Sequence, residues 1–442
     1  MTLMVSVSGV RGIVGPELNP QVIGRWVESL SEILPPGPVV VGRDSRPSGE
    51  ALAAVAAGCF AAAGRPVFDV GLVPTPTVQL AVELWHAAGG VILSASHNPA
   101  PWNALKFVDA GGSFLAPERF ALLRSAYDRN DRAALPASSY GRIEARRREA
   151  LDLHLERVVA MVDAARIRQA NLRVVIECGH GAGGALLPDL GRALGIQLDV
   201  RHEDTTGQLL DDPEPSTSSL SALAQTGAGA HFAIMVDPDA DRCGLAIPGT
   251  EVIGEEWTLP LVTAHRLRSG GEGPVVTNLS TSSRMELAAA SHGSEVLRSP
   301  VGEAHVVAEM RRVGALIGGE GNGGVIDPRA HLGRDSAVAF ALLSEAEAAP
   351  GGLRELAASF ANRAMIKEKI AMSDNGFGPI AEKLSQALGA ADDQRDGLWW
   401  RRPTGFVHVR ASNTEPIVRA VVESASETEA RELIAQVRAA IG

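Results

Sequence analysis

Three aspartates, Asp237, Asp239 and Asp241, alternate along a short segment that directly follows the apolar run Phe232–Val236. In an extended segment, side chains two residues apart point the same way, so the three carboxylates can converge on one point. Such crowding is unfavourable without a cation, and oxygen-only ligands suit a hard divalent ion such as Mg²⁺. A calcium-binding loop is excluded, because Arg242 stands where that loop requires glycine. We predict a magnesium site; a solvated acidic turn is the alternative.

A second polar loop, residues 94–99, follows the strand-like apolar run 91–93 and offers hydroxyls, an imidazole and an amide. Serine near histidine could indicate acyl transfer. However, neighbours in an extended loop point apart, so His97 is poorly placed to serve as a base for Ser96, and no GxSxG elbow surrounds this serine. We therefore assign His97 to orienting the loop. A simple Asn-Pro turn is the alternative interpretation.

A third segment, residues 410–416, is followed closely by Arg419 and combines two guanidinium groups with small hydrogen-bond donors. Forked arginine donors and a turn of backbone amides are suited to a phosphate dianion. The alternative is a capped helix start with arginines on the surface. The predicted phosphate-binding residues are Arg410, Ser412, Asn413, Thr414 and Arg419.

Taken together, these segments resemble the α-D-phosphohexomutase family, and the resemblance covers nearly the whole chain in the family's motif order. Residues 8–12 resemble its opening SGxRG loop, and residues 94–99 with Asn103 and Lys106 resemble its phosphoserine loop. Residues 237–242 resemble the metal loop, 318–324 the sugar-recognition loop and 410–416 the phosphate-binding loop.

The resemblance implies roles for individual residues. Ser96 would carry a phosphoryl group and, with the three aspartates, bind Mg²⁺. Arg11 and Lys106 would lie near the transferred group, and Glu320 and Asn322 would recognise sugar hydroxyls. We also expect Arg242 to hold the metal loop or a phosphate. Two residues are expected to support the phosphoserine loop, namely His97 and Asn98.

The activity implied is interconversion of a hexose or hexosamine 6-phosphate and 1-phosphate through a phosphoserine enzyme and a sugar bisphosphate, which also serves as activator. The expected reaction is glucosamine-6-phosphate to glucosamine-1-phosphate, since the sequences at 319–324 and 412–416 resemble those of phosphoglucosamine mutases. Phosphomannomutase or phosphoglucomutase activity is the alternative within the family.

Three positions depart from the family pattern. Gly324 stands where many members have a histidine, Ala304 replaces a residue that is often basic, and Ala104 stands where glycine is common. The missing histidine leaves the general base open, with Lys106 as the default and His331 as a substitute.

Two other classes of protein fit these motifs less well. In a haloacid-dehalogenase-like phosphatase the first aspartate is the nucleophile, but Asp241 occupies a position usually held by threonine or valine, and the other loops would have no role. A non-catalytic sugar-phosphate sensor would explain the missing histidine, but it would not need Ser96 or all three aspartates.

Composition sets further bounds. The chain has 442 residues, 45% hydrophobic and 21% charged, with a net charge of −11. This length predicts about three or four domains, and the negative charge argues against nucleic acid as a partner. We expect no membrane span, because no apolar run approaches about 20 residues, and no secretory signal, because residues 1–7 lack a basic region followed by a long apolar segment. The three cysteines match no zinc or disulfide spacing, which predicts a cytoplasmic protein. The oligomeric state is not indicated.

The fold class is predicted from repeated units. Apolar β-branched runs at 39–41, 174–176 and 275–276 each lead into small polar residues and then a helical stretch. This is the repeating unit of α/β layers, and continuous apolar runs favour mainly parallel strands. Alternation at 406–410, a second run at 417–422 and a helix at 427–441 predict a smaller antiparallel α+β domain at the end.

We therefore predict three similar mixed or parallel α/β domains and a C-terminal α+β domain, which the resemblance places around a central cleft. A long charged helix over residues 142–163 is expected to open the second domain. The predicted domains are 1–140 with the phosphoserine loop, 141–249 with the metal loop, 250–364 with the sugar-recognition loop and 365–442 with the phosphate-binding loop.

Overall fold

The computed structural model describes residues 3–129, 134–227, 229–360, 362–372, 376–412 and 417–442. These residues form two compact units. The first unit consists of Met1–Thr258 and Asn322–Leu353, and the second of Leu259–Gly321 and Arg354–Gly442.

The strands are, in chain order, β1 (Met4–Ser6), β2 (Gly9–Ile13), β3 (Val39–Arg43), β4 (Val67–Leu72), β5 (Gly89–Leu93), β6 (Trp102–Val108), β7 (Ile143–Ala145), β8 (Arg173–Glu177), β9 (Gln197–Arg201), β10 (Phe232–Val236), β11 (Cys243–Ala246), β12 (Ile253–Gly254), β13 (Val275–Asn278), β14 (Val296–Ser299), β15 (Ile317–Glu320), β16 (Gly324–Ile326), β17 (Ala364–Ala371), β18 (Leu398–Arg402), β19 (Gly405–Ala411) and β20 (Ile417–Ser424).

The α-helices are α1 (Pro20–Ile33), α2 (Gly49–Ala62), α3 (Thr75–Leu84), α4 (Pro117–Arg129), α5 (Arg147–Ala160), α6 (Ala164–Gln169), α7 (Leu187–Ala193), α8 (Thr217–Thr226), α9 (Thr258–Arg268), α10 (Arg284–Ala290), α11 (Glu303–Val313), α12 (Ser336–Ala348), α13 (Gly352–Ala358), α14 (Phe377–Leu388) and α15 (Glu427–Ile441). Among the described helices, none is both long and apolar enough to cross a membrane.

The first unit contains a seven-stranded sheet in the order β1-β2-β6-β5-β3-β4-β7. Its centre is parallel, since β3 pairs in parallel with both β4 and β5, and the apolar run of β5 is fully buried. Strand β6 pairs antiparallel with β5 and places Lys106 opposite Ile92. The loop that bears Ser96 starts where β5 ends, so the sheet positions Ser96 just beyond β5 and Lys106 on the neighbouring strand β6.

The predicted helix over 142–163 is wrong at its start. Residues Ile143–Ala145 instead form β7, which pairs in parallel with β4 at the edge of the first sheet, and α5 begins only at Arg147. All three residues of β7 are exposed, so no hydrophobic pattern marks this strand in the sequence. The first sheet thus extends beyond residue 140.

The second sheet of the first unit has the order β12-β11-β10-β8-β9. Strands β8, β9 and β10 are parallel, whereas β11 returns antiparallel to β10. The predicted strand Phe232–Val236 is confirmed, and its five residues are all buried. The aspartate segment is the connection between β10 and β11, which is therefore a short turn held at both ends by paired strands.

In the second unit, β13 pairs in parallel with both β14 and β15, and Glu320 is the last residue of β15. A separate antiparallel sheet has the order β17-β20-β19-β18. One face of this sheet packs against α14 and α15 around a core that includes Ile380, Trp400 and Ile434. The predicted C-terminal α+β arrangement and its helix at 427–441 are confirmed.

Candidate active site

The carboxylates of the three aspartates converge in the turn after β10. One oxygen from each of Asp237, Asp239 and Asp241 lies within 4.8 Å of the others, and all three residues are buried. The predicted convergence is confirmed, but its premise of an extended segment is wrong. The turn is tight, since Ala240 has a left-handed φ of 53° and Asp237 Oδ1 accepts hydrogen bonds from the amides of Asp241 and Arg242.

The oxygen atoms of this turn fit a bound cation. Within the described part of the chain, Asp239 Oδ1 and Asp241 Oδ1 are buried without a hydrogen-bond partner. Burial and the neighbouring carboxylates, first that of Asp241, raise the pKa of Asp237 to about 8. Orphaned carboxylate oxygens are costly in a protein interior. A hard divalent ion would offset this cost, because it takes oxygen ligands of this kind.

Ser96 lies directly beside the metal loop. Its Oγ donates to Asp237 Oδ2 at 2.8 Å and accepts from Arg242 Nη2 at 2.9 Å. The backbone of Ser96 has a left-handed φ of 50°, and its amide donates to Ser94 Oγ at 3.0 Å. A hydroxyl held between a carboxylate and a guanidinium group is well placed to carry a phosphoryl group next to a cation.

Arg242 connects the two loops. Its Nε donates to Asp237 Oδ2 at 3.0 Å, and its Nη2 lies 2.8 Å from His97 Nδ1, which must therefore accept. The separation of Ser96 Oγ and His97 Nδ1 is 3.5 Å, too long for an effective proton transfer pair. Partial desolvation, followed by the charge of Arg242, lowers the pKa of His97, although much of the residue is exposed.

Lys106 pairs with the second aspartate of the metal loop. Its Nζ lies 2.5 Å from Asp239 Oδ2, and Thr75 Oγ1 donates to the same oxygen at 2.6 Å. Burial works against the lysine charge, but Asp239 and Asp241 outweigh it and raise the pKa of Lys106. Burial likewise works against the charge of Asp239, but Lys106 outweighs it and holds the pKa of Asp239 below its usual range.

A buried arginine holds the backbone of the Ser96 loop. Arg46, fully buried, donates to the carbonyls of Ser96 at 2.5 Å and Asn98 at 2.6 Å, and its Nε pairs with Asp44. A second arginine, Arg11, donates from Nη1 to Asn98 Oδ1 at 2.9 Å. These contacts fix the path of the backbone on both sides of Ser96.

The segment at the start of α12 holds the metal loop at three successive residues. Arg334 Nη2 donates to Asp241 Oδ2 at 2.6 Å. The amide of Ser336 donates to the Ala240 carbonyl at 3.2 Å, and its hydroxyl donates to the Arg242 carbonyl at 2.9 Å. We call residues 334–336 the metal-loop clamp.

Asp335, the middle residue of the metal-loop clamp, caps α12 and joins a buried imidazole cluster. Its Oδ1 accepts from the Ala337 amide at 2.8 Å, while its Oδ2 lies 2.8 Å from His154 Nε2 and 3.1 Å from His331 Nε2. His154 Nδ1 in turn lies 2.8 Å from Thr77 Oγ1 on α3. The cluster therefore ties α3, α5 and α12 together behind the metal loop.

In the second unit, Glu320 is buried and already oriented. Its Oε1 accepts from Asn278 Nδ2 at 2.7 Å and from the Gly302 amide at 2.8 Å. In the first unit, Asn322 Oδ1 accepts from the Gly324 amide at 3.2 Å. Glu320 is thus held by contacts distant in the sequence, and Asn322 by a contact within its own loop.

The antiparallel sheet of the second unit places basic residues in a row. Arg410 on β19 stands directly opposite Arg419 on β20, and Arg419 stands directly opposite Lys369 on β17. Residues paired in this way project from the same face, and like charges so placed are unfavourable without an anion. Burial lowers the pKa of Arg410. The charge of Asp396 opposes this effect, and the charge of Arg419 adds to it, so the pKa is lowered overall. We call these three residues the basic row.

The predicted phosphate-binding turn is described only in part. Ser412 is described, and its amide donates to the Ile417 carbonyl at 2.9 Å. Asn413 and Thr414 lie outside the described residues.

Comparison with known proteins decides the family. Four family models of phosphoglucomutase/phosphomannomutase match in order: alpha/beta/alpha domain I at residues 3–134, domain II at 152–250, domain III at 257–363 and the C-terminal domain at 352–440. A Thermococcus kodakarensis protein named phosphoglucomutase/phosphomannomutase is 32% identical over 437 residues, covering 96% of this chain and 95% of that protein. The chain belongs to the phosphoglucomutase/phosphomannomutase family.

Two further similarities extend over the whole length of this family member. A Frankia alni phosphoglucosamine mutase is 34% identical over 472 residues, covering 100% of this chain and 99% of that protein. A phosphoglucomutase/phosphomannomutase family protein from Burkholderia thailandensis has a TM-score of 0.84 at 25% identity, covering 99% of this chain and 97% of that chain. The chain is therefore a phosphohexomutase, an isomerase with the four-domain fold that the sequence predicted.

Several residues of this phosphohexomutase site were missed in the sequence. Arg46 follows β3 in a polar turn, Thr75 begins α3, and Arg334 precedes the helix-capping Asp335, so each lies at the end of an element where site residues gather. Lys369 carries no comparable signal, because only the register of β17 against β20 places it beside Arg419.

The proposed substitute base, His331, lies in the Asp335 cluster. It is buried, its Nε2 faces Asp335, and its Nδ1 has no hydrogen-bond partner among the residues that the structure describes. In that position His331 contacts Asp335 of the metal-loop clamp, and its role as a substitute base stays a prediction.

Proposed function

We propose that this phosphohexomutase interconverts glucosamine-6-phosphate and glucosamine-1-phosphate through a phosphorylated Ser96. The observation that carries the proposal is the position of Ser96 Oγ, 2.8 Å from Asp237 Oδ2 within the aspartate cluster. The amino sugar is supported by the sugar-loop sequence and by the similarity to a Frankia alni protein that is named phosphoglucosamine mutase. Mannose and glucose phosphates are the alternatives, supported by the name of the Thermococcus relative.

The reaction proceeds in two transfers. In the first, the bond between phosphorus and Ser96 Oγ breaks while a bond forms to a free hydroxyl oxygen of the sugar phosphate. That hydroxyl loses its proton, and the released Ser96 Oγ takes up one, so no net proton is gained or lost. The product is a sugar bisphosphate, which also activates enzyme that has lost its phosphoryl group. After the bisphosphate turns around, the bond between its other phosphorus and the sugar oxygen breaks while a bond forms to Ser96 Oγ. The Ser96 hydroxyl loses its proton, the released sugar oxygen takes up one, and the isomeric monophosphate leaves.

Mg²⁺ would be held by Asp237, Asp239, Asp241 and a phosphoryl oxygen on Ser96, where it would offset the negative charge of the transferring group. The chain's own residues prepare this position. Arg242 donates to both Ser96 Oγ and Asp237, so it fixes the hydroxyl relative to the metal loop.

Lys106 contributes a charge rather than a base. Its Nζ donates to Asp239 Oδ2 at 2.5 Å and lies 3.9 Å from Asp241 Oδ2, so it lies where a positive charge offsets two carboxylates. We assign Lys106 to balancing the charge of the carboxylates and of the phosphoryl group, which revises its default role as a general base. Arg11, bonded to Asn98, adds a second cation beside the Ser96 loop.

The second unit would bind the phosphate that is not reacting. Arg410 and Arg419 of the basic row, with Ser412, Asn413 and Thr414, supply its donors, and Lys369 adds a third cation. Glu320 would accept hydrogen bonds from sugar hydroxyls, as would Asn322. We place the reaction in the cytoplasm, since all three cysteines are free.

The test is conversion of glucosamine-6-phosphate, mannose-6-phosphate and glucose-6-phosphate to their 1-phosphates, with Mg²⁺ and a catalytic amount of the sugar bisphosphate. Wild type is compared with Ser96→Ala and with Ser125→Ala, a matched change on the exposed face of α4. We expect preferred turnover of the glucosamine phosphate, loss of turnover in Ser96→Ala and full turnover in Ser125→Ala.

Two outcomes would contradict the proposal. Preference for mannose or glucose phosphate would replace the substrate while keeping the mechanism. Release of inorganic phosphate alone, unchanged in Ser96→Ala, would remove the phosphoserine mechanism.

A further inference from the structure

A polar cavity of about 470 Å³ lies in the first unit, between the turn after β3 and the start of α5. Its volume falls within the range of small-molecule sites, about 300–1,000 Å³. The cavity is lined mainly by charged and hydroxyl-bearing residues, among them Arg43, Arg46, Arg147, Glu50, Thr205 and Thr206. No residue of the metal loop or of the basic row contributes to this lining.

The charge of the lining is positive, in a chain whose net charge is −11. The lining holds three arginines and one carboxylate, that of Glu50; because Arg46 is already paired with Asp44, Arg43 and Arg147 supply the excess positive charge. This glutamate lies 3.7 Å from Arg43 with its side chain 86% exposed, so the pair is a weak surface ion pair that a ligand can replace. The cavity therefore favours an anion.

Two of the arginines keep donors for a ligand. Arg147 donates through Nε to the Leu72 carbonyl at 2.8 Å, and within the described residues no carboxylate pairs with its two terminal nitrogens. Arg43 uses Nη1 for the Asp44 carbonyl at 3.2 Å, and its other contact among the residues that the structure describes is the weak one with Glu50. A guanidinium group can donate two parallel hydrogen bonds to one oxyanion.

The hydroxyl wall of the cavity is held in place by a close backbone approach. Gly207 has a φ of 74°, and a Cβ atom there would lie 2.0 Å from the Ser45 carbonyl oxygen. The chain at 205–207 can therefore approach the turn after β3 only because Gly207 has no side chain. This contact places Thr205 and Thr206 beside the turn after β3; the Thr206 hydroxyl donates to Asp204 Oδ1 at 2.8 Å and can still accept a hydrogen bond.

We propose that this cavity is a second binding site for a small phosphorylated molecule, separate from the site of the mutase reaction. The phosphate group would lie between Arg43 and Arg147, and the threonine hydroxyls would contact the rest of the ligand. A phosphate dianion is favoured because it accepts from both guanidinium groups at once. The proposal is independent of the proposed sugar specificity.

Ligand binding at this site would affect the Ser96 loop through Arg46. Arg46 lines the cavity, and its guanidinium group also holds the Ser96 and Asn98 carbonyls. Arg46 is fully buried and already paired with Asp44, so the ligand would act on it by displacing the turn after β3 that carries it. Such a shift would modulate the rate at which Ser96 exchanges its phosphoryl group.

The experiment uses the whole chain with tungstate as a crystallographic probe and radiolabelled inorganic phosphate in equilibrium dialysis. Arg147→Gln is compared with wild type and with Arg148→Gln, the adjacent exposed arginine, which pairs with Asp152. We expect an anomalous peak between Arg43 and Arg147 in wild type and Arg148→Gln. In Arg147→Gln, phosphate affinity at this site should fall by about tenfold or more, the effect of one lost charge-assisted hydrogen bond.

Circular dichroism establishes that each variant is folded, and Arg43→Gln provides a second variant should Arg147→Gln fail to fold. Absence of tungstate from the cavity of wild type would overturn the proposal, as would equal phosphate binding by all the variants. A tungstate peak without saturable phosphate binding would identify an adventitious ion only, and this outcome also overturns it.

Discussion

The side chain of Arg334 packs so closely against Gly324 that it leaves no room for a side chain at that position. A Cβ atom on Gly324 would lie 2.2 Å from Arg334 Cδ and 2.9 Å from its Cγ. Arg334 passes across this glycine to reach Asp241 Oδ2 at 2.6 Å. The glycine that stands where many relatives have histidine is therefore required by the arginine that holds a predicted metal ligand.

Replacing Gly324 with alanine should displace Arg334. Because the added methyl group overlaps the arginine side chain, the bond to Asp241 is lost and the metal loop is less well fixed. We expect the Mg²⁺ concentration for half-maximal activity to rise about tenfold, the lower end of the effect of losing a partner of a metal ligand. Titration of mutase activity with Mg²⁺ measures it.

Gly58→Ala is the matched control, since a Cβ atom there has open space within 4 Å. It should retain the wild-type Mg²⁺ dependence. The same dependence in Gly324→Ala would show that Arg334 does not support the metal loop.

Asp335→Asn should weaken the metal-loop clamp while preserving the helix cap. Asparagine still accepts from the amides at the start of α12, but it removes the charge that faces His154 and His331. We expect the Mg²⁺ requirement to rise about 10- to 100-fold, with most of kcat recovered at saturating Mg²⁺. Asp163→Asn, which changes the exposed cap of α6, should leave the requirement unchanged.

Lys369→Gln tests whether the basic row acts as a unit. Since this lysine is exposed, its contribution is screened, and we expect KM for the sugar phosphate to rise about threefold at low salt. The difference from wild type should vanish in high salt. Lys383→Gln on α14 is the control; an equal rise in KM there would mean that overall charge, and not the row, determines affinity.

His408 should make the second unit less stable in acid. Burial lowers the pKa of this residue, whose Nδ1 lies 2.8 Å from Ser280 Oγ and whose Nε2 lies 2.7 Å from the Asp396 carbonyl. The unfolded chain therefore binds the extra proton first as the pH falls. The contribution of His408 to the free energy of unfolding is fully present above about pH 6.5, the pKa of histidine in the unfolded chain. Below that pH the free energy of unfolding declines, by at most about 1.4 kcal/mol per pH unit.

Urea unfolding of wild type and His408→Asn between pH 5 and pH 8 gives the comparison, with pH values chosen around the reference pKa of about 6.5. The variant should lose less stability in acid than wild type does. His86→Asn, at an exposed position, should follow wild type. Parallel curves for all three proteins would mean that His408 is not the group responsible.

Local patterns predicted most of the fold. The apolar runs of β3, β5, β8, β10 and β13 were visible because burial on both faces demands continuous hydrophobic residues. Strand β7 was not visible, since its residues are exposed and it is defined only by pairing with β4. Its position depends on backbone hydrogen bonds, which leave no trace in side-chain type.

The site was predictable where chemistry lies within one loop. Asp237, Asp239 and Asp241 share a turn, so their types and spacing were enough. Arg334 is 93 residues away from Asp241 in the chain, and only folding brings the two together. A single sequence carries no signal for such a pair.

The left-handed backbone of Ser96, with φ of 50°, restricts which amino acid can carry the phosphoryl group. Threonine has the same hydroxyl chemistry, but its branched Cβ makes a positive φ a strong outlier. In Ser96→Thr the loop would therefore have to change its backbone conformation, against the hydrogen bonds that Arg46 donates to its carbonyl groups. In this fold the choice of one hydroxyl amino acid over the other is made by the main chain and not by the reaction.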